Sequence, residues 1–166
     1  MKKTIIIIAI AALILTISGK MEDFFSILKT FFTKWENFSA SPYWDVSRWS
    51  WGYGTKVPGS IDSKYNKPTG TISREQAWKD TTIYVNNDFT YLNKLITRKL
   101  KPQQWAALLS FSYNMGVDDA DNLVNNINTN NDYALQTQWM KYIYINSQPS
   151  DYQKQRRSAE WQLWAS

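Results

Sequence analysis

The feature that most constrains the fold is a change in hydrophobic periodicity near Pro42. Between Asp23 and Trp35, apolar residues recur at every third or fourth position, which predicts an amphipathic helix with one buried face. Pro42 disfavours helix at the residue before it, and residues 43–53 are rich in aromatic side chains that favour strands. The chain is therefore predicted to leave a helix and enter a small region of strands and turns, which indicates an α+β fold.

Two acids lie on either side of this transition. Glu36 follows the predicted helix directly, and Asp45 comes nine positions later in the aromatic segment. The change of element between them allows the two carboxyl groups to face each other across a cleft. Glycoside hydrolysis uses such a pair, about 5 to 5.5 Å apart for retention or about 6.5 to 9.5 Å apart for inversion. A Glu at a helix end is also compatible with a solvated or capping residue.

The composition narrows the chemistry that is available. The chain contains no Cys and no His. This excludes a thiol nucleophile, a Ser–His triad, a zinc centre with His or Cys ligands, and a His general base. Hydrolytic proton transfer would therefore require carboxylates, and no metal or organic cofactor is expected.

The segment from Glu36 to Thr55 resembles the catalytic segment of phage-type lysozymes, the T4-lysozyme-like endolysins of glycoside hydrolase family 24. The pattern of that family is a Glu, eight residues, an Asp, five residues, a Thr, and then Gly-aromatic-Gly. Glu36 and Asp45 match with the spacing intact, and residues 50–54 match the end of the pattern with SWGYG. The chain departs from it in three ways. Ser50 replaces Thr, only four residues separate Ser50 from Asp45, and Thr55 stands where many members have His.

Three further motifs extend the resemblance in the same order along the chain. Residues 72–77 read ISREQA, residues 110–116 read SFSYNMG, and residues 156–163 read RRSAEWQL. The resemblance thus covers nearly everything after about residue 25. It implies a lysozyme-like domain of two lobes, with a small β-hairpin lobe and a larger helical lobe on either side of the substrate cleft.

Local signals predict the helices of the second half. A capping box at Ser73 and Gln76 should start a long helix that runs to about Lys99 and joins the two lobes. Pro102 suits the start of the next helix, which is apolar nearly all round and should end at Gly116. Three shorter helices are predicted at Asp121 to Asn128, Asp132 to Tyr144, and Ser150 to Trp164.

The resemblance also implies a reaction. It would be cleavage of the β-1,4 bond between N-acetylmuramic acid and N-acetylglucosamine in peptidoglycan, with inversion at the anomeric carbon. Glu36 would be the general acid, since apolar neighbours such as Trp35 and Phe38 would disfavour its charged form. Asp45 would stay ionised, stabilise the positive charge on the sugar and orient a water together with Ser50.

Several residues are predicted to bind the glycan. Most of the nine Trp and ten Tyr residues should pack in the core, but Trp44, Trp51 and Tyr53 adjoin the predicted cleft and are suited to stacking on sugar rings. The family counterpart of Asn114 faces the cleft, although a structural amide is an equally good interpretation of that residue.

Members of the family also place a basic residue of the last helix near the catalytic Glu. Lys154, Arg156 and Arg157 are the candidates for this role, and Arg157 is predicted to bind the substrate. The helix dipole disfavours cations at this end of a helix, so a partner carboxylate is expected nearby. Pairing of Arg157 with Glu160 is the ordinary structural alternative.

The N-terminus has the pattern of an export signal. Lys2 and Lys3 precede an apolar run over residues 4–18, which is shorter than the roughly 20 residues of a membrane span. We expect residues 1–19 to be a signal peptide or an uncleaved signal-anchor, and residues 22–166 to be the lysozyme-like domain. The protein would then be exported to the periplasm or cell wall, or tethered to the inner membrane. A core helix, or a cytosolic form starting at Met21, is the alternative.

The formal net charge of +5 favours attraction to a polyanionic cell wall. No nucleic-acid motif is present, so no nucleic-acid partner is expected. The expected partner is the glycan strands of peptidoglycan, and the protein is expected to be a monomer.

Two other functions fit the same residues. One is a membrane-tethered wall-binding module without activity. The other is a lytic transglycosylase, which acts on the same bond with Glu36 alone and leaves a 1,6-anhydro product.

Overall fold

The computed structural model describes residues 24–145 and 147–166. The predicted signal peptide or signal-anchor at residues 1–19 lies outside the described residues. Within those ranges, no helix is both long and apolar enough to cross a membrane. The described chain forms a small lobe with a β-sheet and a larger helical lobe, which confirms the α+β prediction.

The first helix, α1, is described over residues 24–35. Phe24, Leu28 and Phe32 are buried in the core of the helical lobe, as the three- and four-residue spacing predicts. The Glu36 backbone N–H donates to the carbonyl of Phe32 at 2.7 Å. This bond places Glu36 at the C-terminal end of α1, where the chain leaves the helical lobe.

The small lobe contains a three-stranded antiparallel sheet in the order β1-β2-β3. Its strands are β1 (Ser39–Asp45), β2 (Arg48–Gly52) and β3 (Thr55–Lys56). Asp45 pairs with Arg48, so only two residues form the turn between the first two strands. Val46 in that turn has a φ of 55°, a left-handed conformation that β-branched residues rarely adopt. The expected hairpin is therefore present, with a third short strand added.

Helix α2 (Arg74–Leu95) begins as predicted, with Ser73 accepting a hydrogen bond from the backbone N–H of Gln76 at 3.1 Å. Its end at Leu95 is earlier than the expected Lys99. The reason is a tertiary cap, because the Asn128 side chain accepts from the backbone N–H of Thr97 at 2.8 Å and donates to the Leu95 carbonyl at 2.9 Å.

Helix α3 (Pro102–Met115) also follows the prediction and ends at Gly116, whose φ is 105°. The next predicted helix, Asp121 to Asn128, is wrong in its bounds. Two short helices replace it, α4 (Val117–Asp121) and α5 (Val124–Asn128).

The helix predicted over Asp132 to Tyr144 is also shorter than expected. Helix α6 (Asp132–Trp139) stops early because the following residues form a β-hairpin of β4 (Tyr144–Ile145) and β5 (Gln148–Pro149). The β-branched and aromatic residues 142–145 favour this extended conformation. The last helix, α7 (Asp151–Trp164), starts after the predicted cap Ser150.

Helix α3 is the centre of the helical lobe, which explains why it is apolar nearly all round. Its residues from Ala106 to Ser112 are buried, and it packs against α2, α4 and α7. Trp78 of α2 packs against both the core of the helical lobe and the small core around Tyr53. Helix α2 thus holds the two lobes together, as predicted.

Candidate active site

A cleft of about 490 Å³ lies between the two lobes. The small lobe and the end of α1 form one wall. Helices α2 and α3 and the start of α4 form the other, which we call the helical wall. The first wall is lined by Glu36, Tyr43, Asp45, Arg48, Gly54 and Thr55, and the helical wall by Tyr84, Asp88, Ser112, Tyr113, Asn114, Gly116 and Val117.

The fold brings the two predicted acids to this one cleft. Glu36 arrives from the end of α1, and Asp45 is the last residue of β1. Tyr43 lies near both acids. Burial raises the pKa of its phenol, and the negative charges of Asp45 and Glu36 raise that pKa further. The carboxyl groups of Glu36 and Asp45 therefore lie in the same part of the cleft, around Tyr43.

Glu36 has a cationic neighbour, Arg156. The Nη2 atom of Arg156 lies 2.6 Å from Glu36 Oε1, and the side chain of Glu36 is 18% exposed. The contact is a close, partly buried ion pair. The basic residue next to the acid is thus Arg156, one of the three candidates that the sequence offered.

Arg156, Arg157 and Glu160 form a buried charge network on α7. Glu160 accepts hydrogen bonds from Ser110 at 2.8 Å, from Arg156 Nε at 3.2 Å and from Trp139 at 3.1 Å. Burial lowers the pKa of Arg156, but the carboxylates of Glu36 and Glu160 outweigh burial and hold that pKa above its usual value. The network therefore keeps a charged guanidinium beside Glu36.

The prediction that Arg157 contacts the substrate is wrong, because its side chain is fully buried. Its Nε atom lies 3.0 Å from Glu160, which is the structural alternative considered for it. Burial lowers its pKa to about 10, and the charge of Glu160 opposes that shift. Arg157 also donates to Asn114 Oδ1 at 2.7 Å, and Asn114 lines the cleft. Arg157 thus orients a residue of the cleft without entering it.

Two hydroxyl residues of the small lobe, Ser50 and Thr55, differ in their surroundings. Ser50, the predicted one, is fully buried and donates to Asp45 Oδ2 at 3.4 Å. Thr55 lines the cleft, is 3% exposed, and has no hydrogen-bond partner for its hydroxyl among the described residues. Sequence reasoning noted Thr55 only as a departure from the family pattern and did not assign it a role.

The three aromatic residues predicted to stack on sugars do not line the cleft that the described residues form. Trp44 packs edge-on against Trp49, while Trp51 and the buried Tyr53 belong to the core of the small lobe. Strand alternation explains this correction for Trp44, because side chains in β1 alternate between faces and Tyr43 shares a face with Asp45. Alternation could have identified Tyr43 from the sequence.

Asp88 is a third acid of the cleft that sequence reasoning missed. It lies on α2, and its Oδ2 accepts a hydrogen bond of 2.6 Å from Ser112 of α3. Burial raises the pKa of the Asp88 carboxyl, and the Ser112 hydrogen bond opposes that shift only in part. In residues 24–145 and 147–166, no cluster of three or more acids is arranged to hold a metal ion.

The chain matches the phage lysozyme family model over residues 33–160. No curated protein sequence matches it. This match spans Glu36, Asp45 and the buried network of α7.

Solved structures share the fold. An endolysin from Escherichia coli O157:H7 phage FAHEc1 aligns with a TM-score of 0.69 at 21% identity, over 86% of this chain and 90% of that one. A mutant of P22 lysozyme gives 0.71 at 20% identity, over 85% and 97%. The muramidase domain of SpmX from Asticaccaulis excentricus gives 0.70 at 17% identity, over 82% and 93%.

Proposed function

The chain belongs to the phage lysozyme family, and we propose that Glu36 and Asp45 are the acid pair with which it cleaves the β-1,4 bond between N-acetylmuramic acid and N-acetylglucosamine. As a member of this family it is a glycoside hydrolase of peptidoglycan. The observation that carries the assignment is that both acids line one cleft between the lobes, with their sequence spacing intact. A cleft between two lobes suits an extended glycan strand.

Glu36 is the proposed general acid. Its Oε1 atom is buried against Arg156, so Oε2 is the oxygen left to protonate the leaving group. The Arg156 guanidinium holds the carboxyl in place, because Arg156 is itself fixed by Glu160. Once the proton has moved to the glycosidic oxygen, the ionised Glu36 is stabilised by the same guanidinium.

Asp45 is the proposed base and charge stabiliser. Its ionised carboxylate offsets the positive charge that develops on the anomeric carbon and accepts a proton from the attacking water. The Ser50 hydroxyl orients this carboxylate through Oδ2, and Thr55, a cleft residue whose hydroxyl has no hydrogen-bond partner among the described residues, is the proposed ligand of the water. Attack from the face opposite the leaving group inverts the configuration.

Replacing Glu36 with Gln tests this function. Glu36→Gln keeps the size of the side chain and an oxygen for Arg156 but removes the acidic proton. We expect its clearing of permeabilised bacterial cells to fall by a factor of about 10² to 10⁴. The exposed Glu75→Gln should clear cells at the wild-type rate.

A folded Glu36→Gln protein, checked by circular dichroism, that still clears cells at the normal rate would overturn the assignment. Mass spectrometry of the wild-type products should show ordinary reducing-end sugars. Products with 1,6-anhydro ends would instead support the transglycosylase alternative.

We also propose that residues 1–19 direct the protein out of the cytoplasm, and that it acts as a monomer on the cell wall during host cell lysis. The basic residues followed by the apolar run support export. N-terminal sequencing of the mature protein tests this proposal. A start near Lys20 would indicate a cleaved signal, a retained Met1 in the membrane fraction would indicate a signal-anchor, and a cytosolic protein starting at Met21 would overturn export.

A further inference from the structure

Asp88 has a position in the cleft that the proposed bond cleavage does not explain. It lies within α2, where Asp is a weak helix former, one turn after the cleft residue Tyr84. Among the described residues of the helical wall, it alone carries a formal charge at neutral pH. The charge is therefore placed where a bound substrate would meet it.

The protein itself compensates this charge poorly. Asp88 is half-buried, and its hydrogen-bond partner is the hydroxyl of Ser112, which is 1% exposed. No Lys or Arg among the described residues forms an ion pair with Asp88, whereas Glu36 and Glu160 each contact a guanidinium. A half-buried carboxylate with one neutral donor costs folding free energy. Ionisable groups in such unfavourable surroundings are common at ligand-binding and catalytic sites.

We propose that Asp88 binds a protonated amine of the peptidoglycan stem peptide, which would make it a specificity residue of the cleft. The inference rests on the proposed function, because it takes peptidoglycan as the substrate. Oδ2 is occupied by Ser112, so Oδ1 is the oxygen that receives the amine. An amine compensates the charge fully, whereas the amide N–H of an acetylated sugar would leave it in place.

The structural alternative is that Asp88 only joins α2 to α3 through Ser112. Asp88→Asn separates the two roles, since Asn keeps the shape and an oxygen that can accept from Ser112 but loses the charge. Glu75→Gln is the matched control, because it removes an acid from the exposed start of α2, outside the cleft. The probes are purified peptidoglycan with free stem-peptide amines and the same material after chemical acetylation of those amines.

We expect Asp88→Asn to raise KM about ten-fold on peptidoglycan with free amines, with kcat little changed. Acetylation of the amines should raise the wild-type KM by a similar factor and leave the KM of Asp88→Asn unaltered. Glu75→Gln should behave as wild type on both materials. The Tm of Asp88→Asn at pH 7 should be no lower than that of the wild type, because the substitution removes an uncompensated charge.

An equal rise in KM on both materials would show that the amine is not the partner and would overturn the proposal. An unchanged KM with a lowered Tm would show a purely structural role. Co-sedimentation with the two materials, measured in the Glu36→Gln background, reports the contact without turnover. A wild-type protein that binds both materials but cleaves neither would therefore overturn the proposed function, while the amine preference would still be measured.

Discussion

At the residue scale, we propose that Ser50 and Thr55 share the role of the single Thr in the family pattern. The family pattern has a Thr, and the chain has Ser50 after a connection that is one residue shorter. Ser50 is fully buried and contacts the carboxylate, and Thr55 is a cleft residue whose hydroxyl is buried without a hydrogen-bond partner among the described residues. A buried hydroxyl without a protein partner is normally satisfied by a water.

This division predicts unequal effects for two substitutions. Thr55→Val removes the proposed water-binding hydroxyl at nearly constant volume and should lower kcat about 10²-fold. Thr55→Ser keeps the hydroxyl and should retain most of the wild-type kcat. Ser50→Ala removes only a long hydrogen bond to Asp45 and should lower kcat about ten-fold or less. Steady-state kinetics on solubilised peptidoglycan measures both.

The opposite ranking of the two variants would show that Ser50, and not Thr55, binds the water. That ranking is a severe loss of kcat in Ser50→Ala together with near-normal kcat in Thr55→Val. An effect on KM alone in Thr55→Val would mean that its hydroxyl binds sugar instead of water.

At the element scale, α7 explains the pair of Arg residues near its start. Cations are disfavoured there by the helix dipole, but Glu160 lies one turn later and contacts both guanidinium groups. The two residues also point in different directions, so Arg156 reaches Glu36 and Arg157 reaches Asn114. One helix thus orients groups on both walls of the cleft.

Removing the shared carboxylate should therefore destabilise the protein. Glu160→Gln leaves two fully buried guanidinium groups with too little negative charge, which typically costs about 3 to 5 kcal/mol. For a domain of this size, we expect the Tm to fall by about 10 °C or more, measured by calorimetry at pH 7. Glu75→Gln, at an exposed ion pair, should leave the Tm almost unchanged. An unchanged Tm in Glu160→Gln would show that the network serves orientation rather than stability.

At the scale of the whole molecule, the cleft depends on how closely the sheet approaches α2. Gly52, at the end of β2, has a φ of +60°, and a Cβ built there would lie 2.7 Å from the Cβ of Ala77. The small lobe can therefore pack on the start of α2 only because this residue has no side chain.

Gly52→Ala should consequently destabilise the protein more than a substitution at a comparable glycine. Gly59 has a similar φ of +68° but open space around it, so Gly59→Ala should cost only the backbone strain, about 1 to 2 kcal/mol. Gly52→Ala adds the clash with Ala77, about 1 to 3 kcal/mol more. Urea unfolding of both variants measures the difference. Equal losses in the free energy of unfolding of the two variants would show that the close contact between Gly52 and Ala77 does not limit the packing of the small lobe on α2.

Much of the backbone could be predicted from the sequence, because its signals are local. The spacing of apolar residues predicted α1, Ser73 and Ser150 predicted the starts of two helices, and Gly116 predicted the end of α3. The pairing of β4 with β5 was missed, since a pattern of apolar residues does not separate a short strand from the end of a helix.

The sequence by itself determined the starts of α2 and α7, the end of α3, the spacing of Glu36 and Asp45, and the restriction of the chemistry to carboxylates. Only the tertiary structure decided that Arg156 rather than Arg157 meets Glu36, that Thr55 lines the cleft, and that Asp88 stands on its helical wall. The reason is physical. A local pattern sets the backbone of one element, whereas contacts between distant residues depend on the rotation and depth at which the elements pack.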